Sequence, residues 1–288
     1  MSENADPRAA AAIDALPPLR EIVERAGLRA KKSLGQNFIL DLNVTDRIAR
    51  AAGDVSGASV FEIGPGPGGL TRSLLRAGAR EVVSLEYDPR AVAALGELEN
   101  AANGRLKVVG ADALETDLLG FDAPAPRVIV ANLPYNIATP LLVGWLRQVR
   151  ERPGAWDRFV LMFQREVADR LVAVPGTKAY GRLSVLTQWL CAVRRAFDLP
   201  PSVFVPPPSV TSSVVCLTPR VLPEGAPSFT AMESATAAAF GQRRKMLRSV
   251  LKADLAALES CGIDPSARAE TLSVADFVAL ARARSGNR

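Results

Sequence analysis

Asn132-Leu133-Pro134-Tyr135, directly after the apolar run 127–131, places two hydrogen-bond acceptors and an aromatic face within four residues. The Asn132 side-chain carbonyl and the main-chain carbonyl of Leu133 or Pro134 can accept together, and Pro134 brings no N–H of its own to compete. Such a set suits an amino group on an aromatic ring, as in adenine. That nitrogen is a poor nucleophile because its lone pair is delocalised into the ring. Drawing both of its N–H groups into hydrogen bonds returns electron density to nitrogen and prepares it to attack a methyl group. Tyr135 can stack on the ring and hold it in line. Taken alone, the tetrapeptide is also a plain turn. Its chemistry depends on its company.

The company lies upstream. A short apolar run, 59–63, leads into Gly64-Pro65-Gly66-Pro67-Gly68-Gly69, a strand-to-helix loop whose glycines let backbone approach a ligand closely. Such a loop can be a bare βα turn, or it can serve a dinucleotide, since Glu86 lies about twenty residues on, where a ribose-binding acid belongs. Two details favour S-adenosylmethionine instead. Pro65 and Pro67 each remove an N–H, weakening the loop as a phosphate cradle, and S-adenosylmethionine carries no phosphate. Asp112, at the end of the next strand, supplies a second acid able to accept from an adenine amino group.

The 288 residues include no histidine, which excludes histidine general bases, Ser-His-Asp triads and histidine-ligated metals. Cys191, Cys216 and Cys261 stand far apart, so neither a disulfide framework nor a thiolate metal site is predicted. No metal is expected. The chain carries 35 Lys and Arg against 30 Asp and Glu, a net charge of +5. Residues 241–288 hold nine cations against five acids, and residues 19–50 hold seven against four. Two basic ends around a near-neutral middle suit a polyanion, though solubility alone would also explain them. No apolar run is long enough to span a bilayer, and the first residues lack a signal-peptide pattern. A cytoplasmic protein with no membrane partner, and a monomer, is expected.

These residues need elements to position them. Strands are predicted at 59–63, at 81–85 (ending at Glu86), at 106–109 (ending near Asp112), at 127–131 and at 158–162. Helices at 70–77, 90–98 and 141–149 fall between them. This alternation predicts an α/β fold, a doubly wound, mostly parallel Rossmann-like sheet. Before it, 1–18 reads as a loose tail, 19–26 as a helix, and 44–52 as a helix capped by Asn43 or Asp41. After it, 164–172 and 183–190 read as helices, and 193–199 and 210–217 as a late antiparallel pair. Residues 219–227, with three prolines and Gly225, make the best linker. Helices are predicted at 228–240, 243–258, 264–270 and 274–284. The expected domains are an extension (1–30), a methyltransferase domain (31–220) and a small all-helical, RNA-binding domain (221–288). Trp145, Trp156 and Trp189 read as core or core-edge.

In their order, Glu62-Ile-Gly-Pro-Gly66, Glu86, Asp112-Ala113 and Asn132-Leu-Pro-Tyr135 resemble the motifs of the ribosomal RNA adenine N6,N6-dimethyltransferases. Further segments resemble the bacterial small-subunit (16S) branch: KSLGQNF at 32–38, FQREVA at 163–168, YGRLSV at 180–185, PPSVFVPPP at 200–208, RRKMLR at 243–248 and RAETLS at 268–273. The resemblance runs from about Lys31 to Leu280.

The resemblance implies that S-adenosylmethionine is held by Gln36, Asn37 and the backbone at Ile39 over its methionine end. Glu62, Gly64 and Gly66 would lie at the loop beneath it. Glu86, with Tyr87, would hold the ribose, and Asp112, with Ala113, the adenine. Asn132 would touch cofactor and target, and Phe204 would stack on the target base opposite Tyr135. Arg182, Arg243, Arg244, Lys245 and Arg248 would meet RNA phosphates, the last four on a basic helix. The implied substrate is a pair of adjacent adenosines near the 3′ end of small-subunit RNA, presented either as naked RNA or, as a large RNA footprint favours, within a partly assembled 30S subunit. Ser209 and Met246 depart from the Lys and Thr usual in the family. A large-subunit, antibiotic-resistance type methylase, a silent nucleic-acid-binding relative and a nicotinamide oxidoreductase are the competing readings.

Overall fold

The computed structural model describes residues 7–28 and 36–286. Its elements are α1 (Pro7–Asp14), α2 (Leu19–Arg25), β1 (Phe38–Ile39), α3 (Leu42–Ala51), β2 (Ser59–Ile63), α4 (Gly69–Arg76), β3 (Glu81–Glu86), α5 (Pro89–Ala94), α6 (Gly96–Ala101), β4 (Leu106–Gly110) and β5 (Arg127–Ala131). Next come α7 (Tyr135–Glu151), β6 (Arg158–Gln164), α8 (Arg165–Val172), α9 (Arg182–Leu190), β7 (Cys191–Leu199), β8 (Phe204–Val205), β9 (Ser212–Pro219), α10 (Phe229–Phe240), α11 (Leu247–Val250), α12 (Leu255–Ser260) and α13 (Val274–Gly286).

Seven strands form one sheet in the order β4-β3-β2-β5-β6-β9-β7. The first five are mutually parallel, and β9 runs antiparallel to β6. The five residues of β2, SVFEI, are all buried, as a central parallel strand covered on both faces requires. The strand order reverses between β2 and β5, and ligands bind at such switch points, beyond the strands' carboxyl ends. Glu62 and Asn132 stand there. The predicted doubly wound α/β class is the fold observed.

By contacts the chain divides into two compact units. One holds residues 1–143, 154–165 and 195–217; the other holds 144–153, 166–194 and 218–288. Thus α8 and α9, which precede residue 220, group with the later helices. The core of the first unit includes Val60, Val82, Val128, Val160 and Phe204. In the second, Phe240 stacks on Phe277 with centroids 5.5 Å apart, and Trp189 on Phe229 at 6.4 Å. All three tryptophans are buried.

Several local expectations are corrected. The tail contains helix α1: Pro7 suits a first turn, the alanines after it are the best helix formers, and Ala9 and Ile13 bury against the first unit. The 90–98 helix is two pieces, α5 and α6, meeting at Leu95 before Gly96. Helix α7 begins at Tyr135 rather than near 141, because the Pro134 carbonyl already accepts from the N–H groups of Ile137 and Ala138, both at 3.1 Å.

The predicted basic helix is a turn over 241–246 followed by the short α11. The N–H groups of Leu247 and Arg248 donate outside it, to the carbonyls of Ala267 and Pro265, both at 2.8 Å. Residues 264–270 keep only a 3-10 turn, Ala269–Thr271. Asp264 there accepts from the Ser266 N–H and hydroxyl, an arrangement that competes with helix.

Candidate functional site

A cavity of about 320 Å³ opens at the carboxyl ends of β2, β3, β4 and β5. The expected cofactor residues Gln36, Asn37, Ile39, Glu62, Gly64, Gly66, Glu86, Tyr87, Asp112 and Ala113 all line it, together with Asn132, Leu133, Pro134 and Tyr135. Lys32 to Gly35, the start of the KSLGQNF segment, lie outside the described residues.

The floor is the glycine loop. Gly64, Gly66 and Gly68 all have positive φ, from +54° to +88°, a conformation that only glycine adopts without strain. At Gly66 the reason is also contact, since a Cβ there would sit 2.9 Å from the Phe38 ring. Phe38 thus lies close over the loop.

Three acids stand around the floor and are held differently. Glu86 accepts the Gly66 N–H on Oε2 (3.1 Å) and the Asp88 N–H on Oε1 (2.8 Å). Burial pushes its carboxyl up, against the pull of those N–H groups. Both oxygens retain further lone pairs, so a pair of vicinal hydroxyls can donate to them. Glu62 is buried; its Oε2 accepts from the hydroxyls of Thr71 (2.6 Å) and Ser84 (3.2 Å). Burial pushes it up to about 7, the two hydroxyls pull it down, and the nearby Glu86 charge adds to the rise. Asp112 Oδ1 accepts from the Leu114 N–H at 2.8 Å, which fixes the carboxyl at the strand end.

The remaining wall is β1 and the residues before it. Gln36 donates to Asp88 Oδ2 at 3.4 Å. Asp88 is also bound by Arg90, whose hydrogen bonds hold it down at about 2. The Asn132 amide nitrogen donates to the Asn37 carbonyl at 3.0 Å. Its oxygen Oδ1 is thereby left for the cavity. Of the two main-chain carbonyls offered by the sequence, Pro134's is taken by the first turn of α7, while Leu133's accepts no hydrogen bond among the described residues. Oδ1 of Asn132 and the Leu133 carbonyl are therefore the available acceptor pair. Tyr135 lines the cavity beside them, half-buried, its hydroxyl 2.6 Å from Ser212 Oγ.

The structure does not bring Phe204 to this cavity. It is 2% exposed and packs in the core of the first unit. The antiparallel pairing of β8 with β1 sets this: Phe204 lies opposite Ile39, and alternation turns Val205 outward. The aromatic residues that do line the cavity are Phe38, Tyr87 and Tyr135.

The expected RNA-binding cations lie in the second unit. Arg182 and Arg243 border a cleft of about 830 Å³ with Lys178 and Phe240. Arg243 Nη2 donates to the carbonyls of Lys178 (2.9 Å) and Tyr180 (2.8 Å) and lies 3.5 Å from Glu270. Through Nη2 it braces the 178–180 loop, while the side chain stays 44% exposed. Arg244, Lys245 and Arg248 are exposed.

Sequence reasoning missed Thr71, Ser84, Asp88 and Ser212, which hold site residues in place without bearing reactive groups. Only Thr71 carried a signal, its position on the first turn of the helix after the loop.

A family model described as "Ribosomal RNA adenine dimethylase" matches residues 27–284. The chain is 55% identical over 286 residues to "Ribosomal RNA small subunit methyltransferase A" of Rhodospirillum rubrum, covering 98% of each chain. It is 58% identical to the protein of the same name from Paramagnetospirillum magneticum, covering 93% of this chain and 95% of that one. Among solved structures it is similar to a dimethyladenosine transferase from Plasmodium falciparum, with TM-score 0.70, 27% identity, and 83% and 94% of the two chains covered. It is also similar to the 23S rRNA methyltransferase ErmE, with TM-score 0.64, 28% identity, and 86% and 99% covered.

Proposed function

Because this chain belongs to the ribosomal RNA adenine dimethylase family, we propose that it uses S-adenosylmethionine to dimethylate N6 of two adjacent adenosines near the 3′ end of small-subunit (16S) ribosomal RNA. The observation that carries this reading is the acceptor pair, Asn132 Oδ1 and the Leu133 carbonyl, set beside the Tyr135 ring in the cavity that Glu86 and Asp112 also line.

The residues fit S-adenosylmethionine. Glu86 offers two anchored oxygens to the ribose hydroxyls, Asp112 an acceptor for the adenine amino group, and the proline-interrupted loop a close, phosphate-free floor. Gln36, Asn37 and Ile39 would cover the methionine end. When bound, the cofactor supplies an electrophilic methyl group on a sulfonium.

Everything else is work for the chain. Tyr135 stacks on the target base and fixes its plane. Asn132 Oδ1 and the Leu133 carbonyl accept the two amino N–H groups, so the lone pair turns toward the methyl. As positive charge grows on the attacking nitrogen, the same two dipoles already point at it and need no reorganisation. A monomethylated amine retains one N–H, so one acceptor still serves the second transfer.

Arg182, Arg244, Lys245 and Arg248 meet RNA phosphates in this reading, and the second unit is the RNA-binding part. The substrate is a partly assembled 30S subunit and the enzyme a cytoplasmic monomer. Among the described residues no helix is long and apolar enough to cross a membrane.

The likeness to ErmE makes large-subunit RNA the competing substrate, but the relatives at 55–58% identity carry the small-subunit name. Labelled methyl transfer to naked small-subunit RNA, 30S particles and large-subunit RNA, followed by primer extension, separates these. Two adjacent stops near the 3′ end of small-subunit RNA are expected. Stops confined to large-subunit RNA would overturn the assignment.

A further inference from the structure

Tyr135 is fastened at both ends. Its backbone opens α7, and its hydroxyl lies 2.6 Å from Ser212 Oγ. Ser212 is fully buried and is the first residue of β9. There it pairs with Gln164, and a continuous register from Phe159↔Leu217 onward locks β9 to β6. Among the described residues each hydroxyl has the other as its side-chain partner, and neither shows a second.

We propose that Ser212 is a positioning residue for methyl transfer, anchoring the far end of the Tyr135 ring on which the target adenine stacks. The inference rests on reading the cavity as an adenine methylation site. A tyrosine held only at its Cβ keeps a broad ring torsion. The hydroxyl lies on the axis of that torsion, so its hydrogen bond to a residue fixed in a sheet anchors the far end of the ring, and the phenol proton's preference for the ring plane biases the torsion. Burial also pushes the phenol above its ordinary range, which favours the protonated hydroxyl. Where the ring sits decides where the stacked base sits, and small departures from in-line geometry slow transfer steeply. Tyr135 thus needs its hydroxyl although that group touches no substrate.

The test is single-turnover transfer from tritiated S-adenosylmethionine to 30S particles lacking these methyl groups. It compares wild type, Ser212→Ala, Ser212→Thr, Tyr135→Phe and the Ser212→Ala/Tyr135→Phe double variant. Ser212→Ala and Tyr135→Phe should each slow transfer about tenfold. The double variant should be no slower than either, and Ser212→Thr should recover most of the rate. Cofactor affinity by calorimetry should stay within about twofold of wild type, because the bond lies at the base end of the cavity. A wild-type rate in Ser212→Ala, or losses that multiply in the double variant, would overturn the proposal. So would a joint fall in cofactor affinity and melting temperature, which would make Ser212 a packing residue. A wild type that methylates no adenine would instead remove the reading on which this rests.

Discussion

The amide nitrogen of Asn132 donates to the main-chain carbonyl of Asn37 at 3.0 Å, and this one bond decides which end of the amide faces the cavity. An amide whose nitrogen is committed must present its oxygen, and an acceptor is what a delocalised amine needs. The strip before β1 therefore helps to orient the residue at the centre of the proposed chemistry.

Asn132→Ala should reduce single-turnover methyl transfer by about a hundredfold or more, the scale of removing one preorganised group from a developing charge. Asn132→Asp should do no better, since one carboxylate oxygen would then confront the Asn37 carbonyl. Rapid-quench measurements with both variants check this. A wild-type chemical step in Asn132→Ala would remove the residue from the mechanism.

Gly66→Ala should weaken cofactor binding at least tenfold and lower the melting temperature. Its Cβ would meet the Phe38 ring at 2.9 Å, at a φ of +54° that alanine rarely adopts. Calorimetric titration with S-adenosylmethionine reads the first effect and differential scanning the second.

Glu62 gives a pH signature of definite sign. Burial holds its native carboxyl at about 7, above the ordinary 4.5, so between those values the folded chain keeps a proton that the unfolded chain has lost. Stability from this group is present below that window and falls as pH rises through it. Glu62→Gln, whose carbonyl can still accept from Thr71 and Ser84, should flatten the trend. Relative to wild type, it should gain up to roughly 3 kcal/mol between pH 5 and pH 8 in urea unfolding. Parallel curves for the two proteins would refute the shift.

Neighbouring arginines should behave differently. Arg243→Ala should cost about 1–3 kcal/mol of stability, because it frees two carbonyls of the 178–180 loop from a charged donor. Arg244→Glu should leave the melting temperature and cofactor affinity alone, weaken RNA binding and flatten its salt dependence. Filter binding across a salt series, beside thermal melts, distinguishes a strut from a phosphate contact.

The middle of the sheet was legible because β2, β5 and β6 are buried, largely apolar runs that stop at residues unable to continue them. Gly64 ends β2, and Asn132 with Pro134 ends β5. The cavity lining was legible for the same reason, since it is built largely from the residues just past those strand ends. Long-range commitments were not legible. Local sequence around Arg243 reads as a charged helix, yet its guanidinium is used by carbonyls some sixty residues earlier in the chain. Phe204 resembles a base-stacking residue, but its two-residue pairing with β1 turns it inward. Ser212 carries no chemistry of its own, so nothing in the sequence marked it before its distance to Tyr135 was known.

The pairing of Phe38 and Ile39 with Val205 and Phe204 has a consequence for turnover. Spent cofactor must leave and fresh cofactor enter between successive methyl additions, and the strip covering the cavity is stitched to β8 by main-chain bonds. Lifting one strand pulls on the other. If the cavity takes S-adenosylmethionine as proposed, any displacement of Phe38 and Ile39 during exchange would draw on the paired Val205 and Phe204.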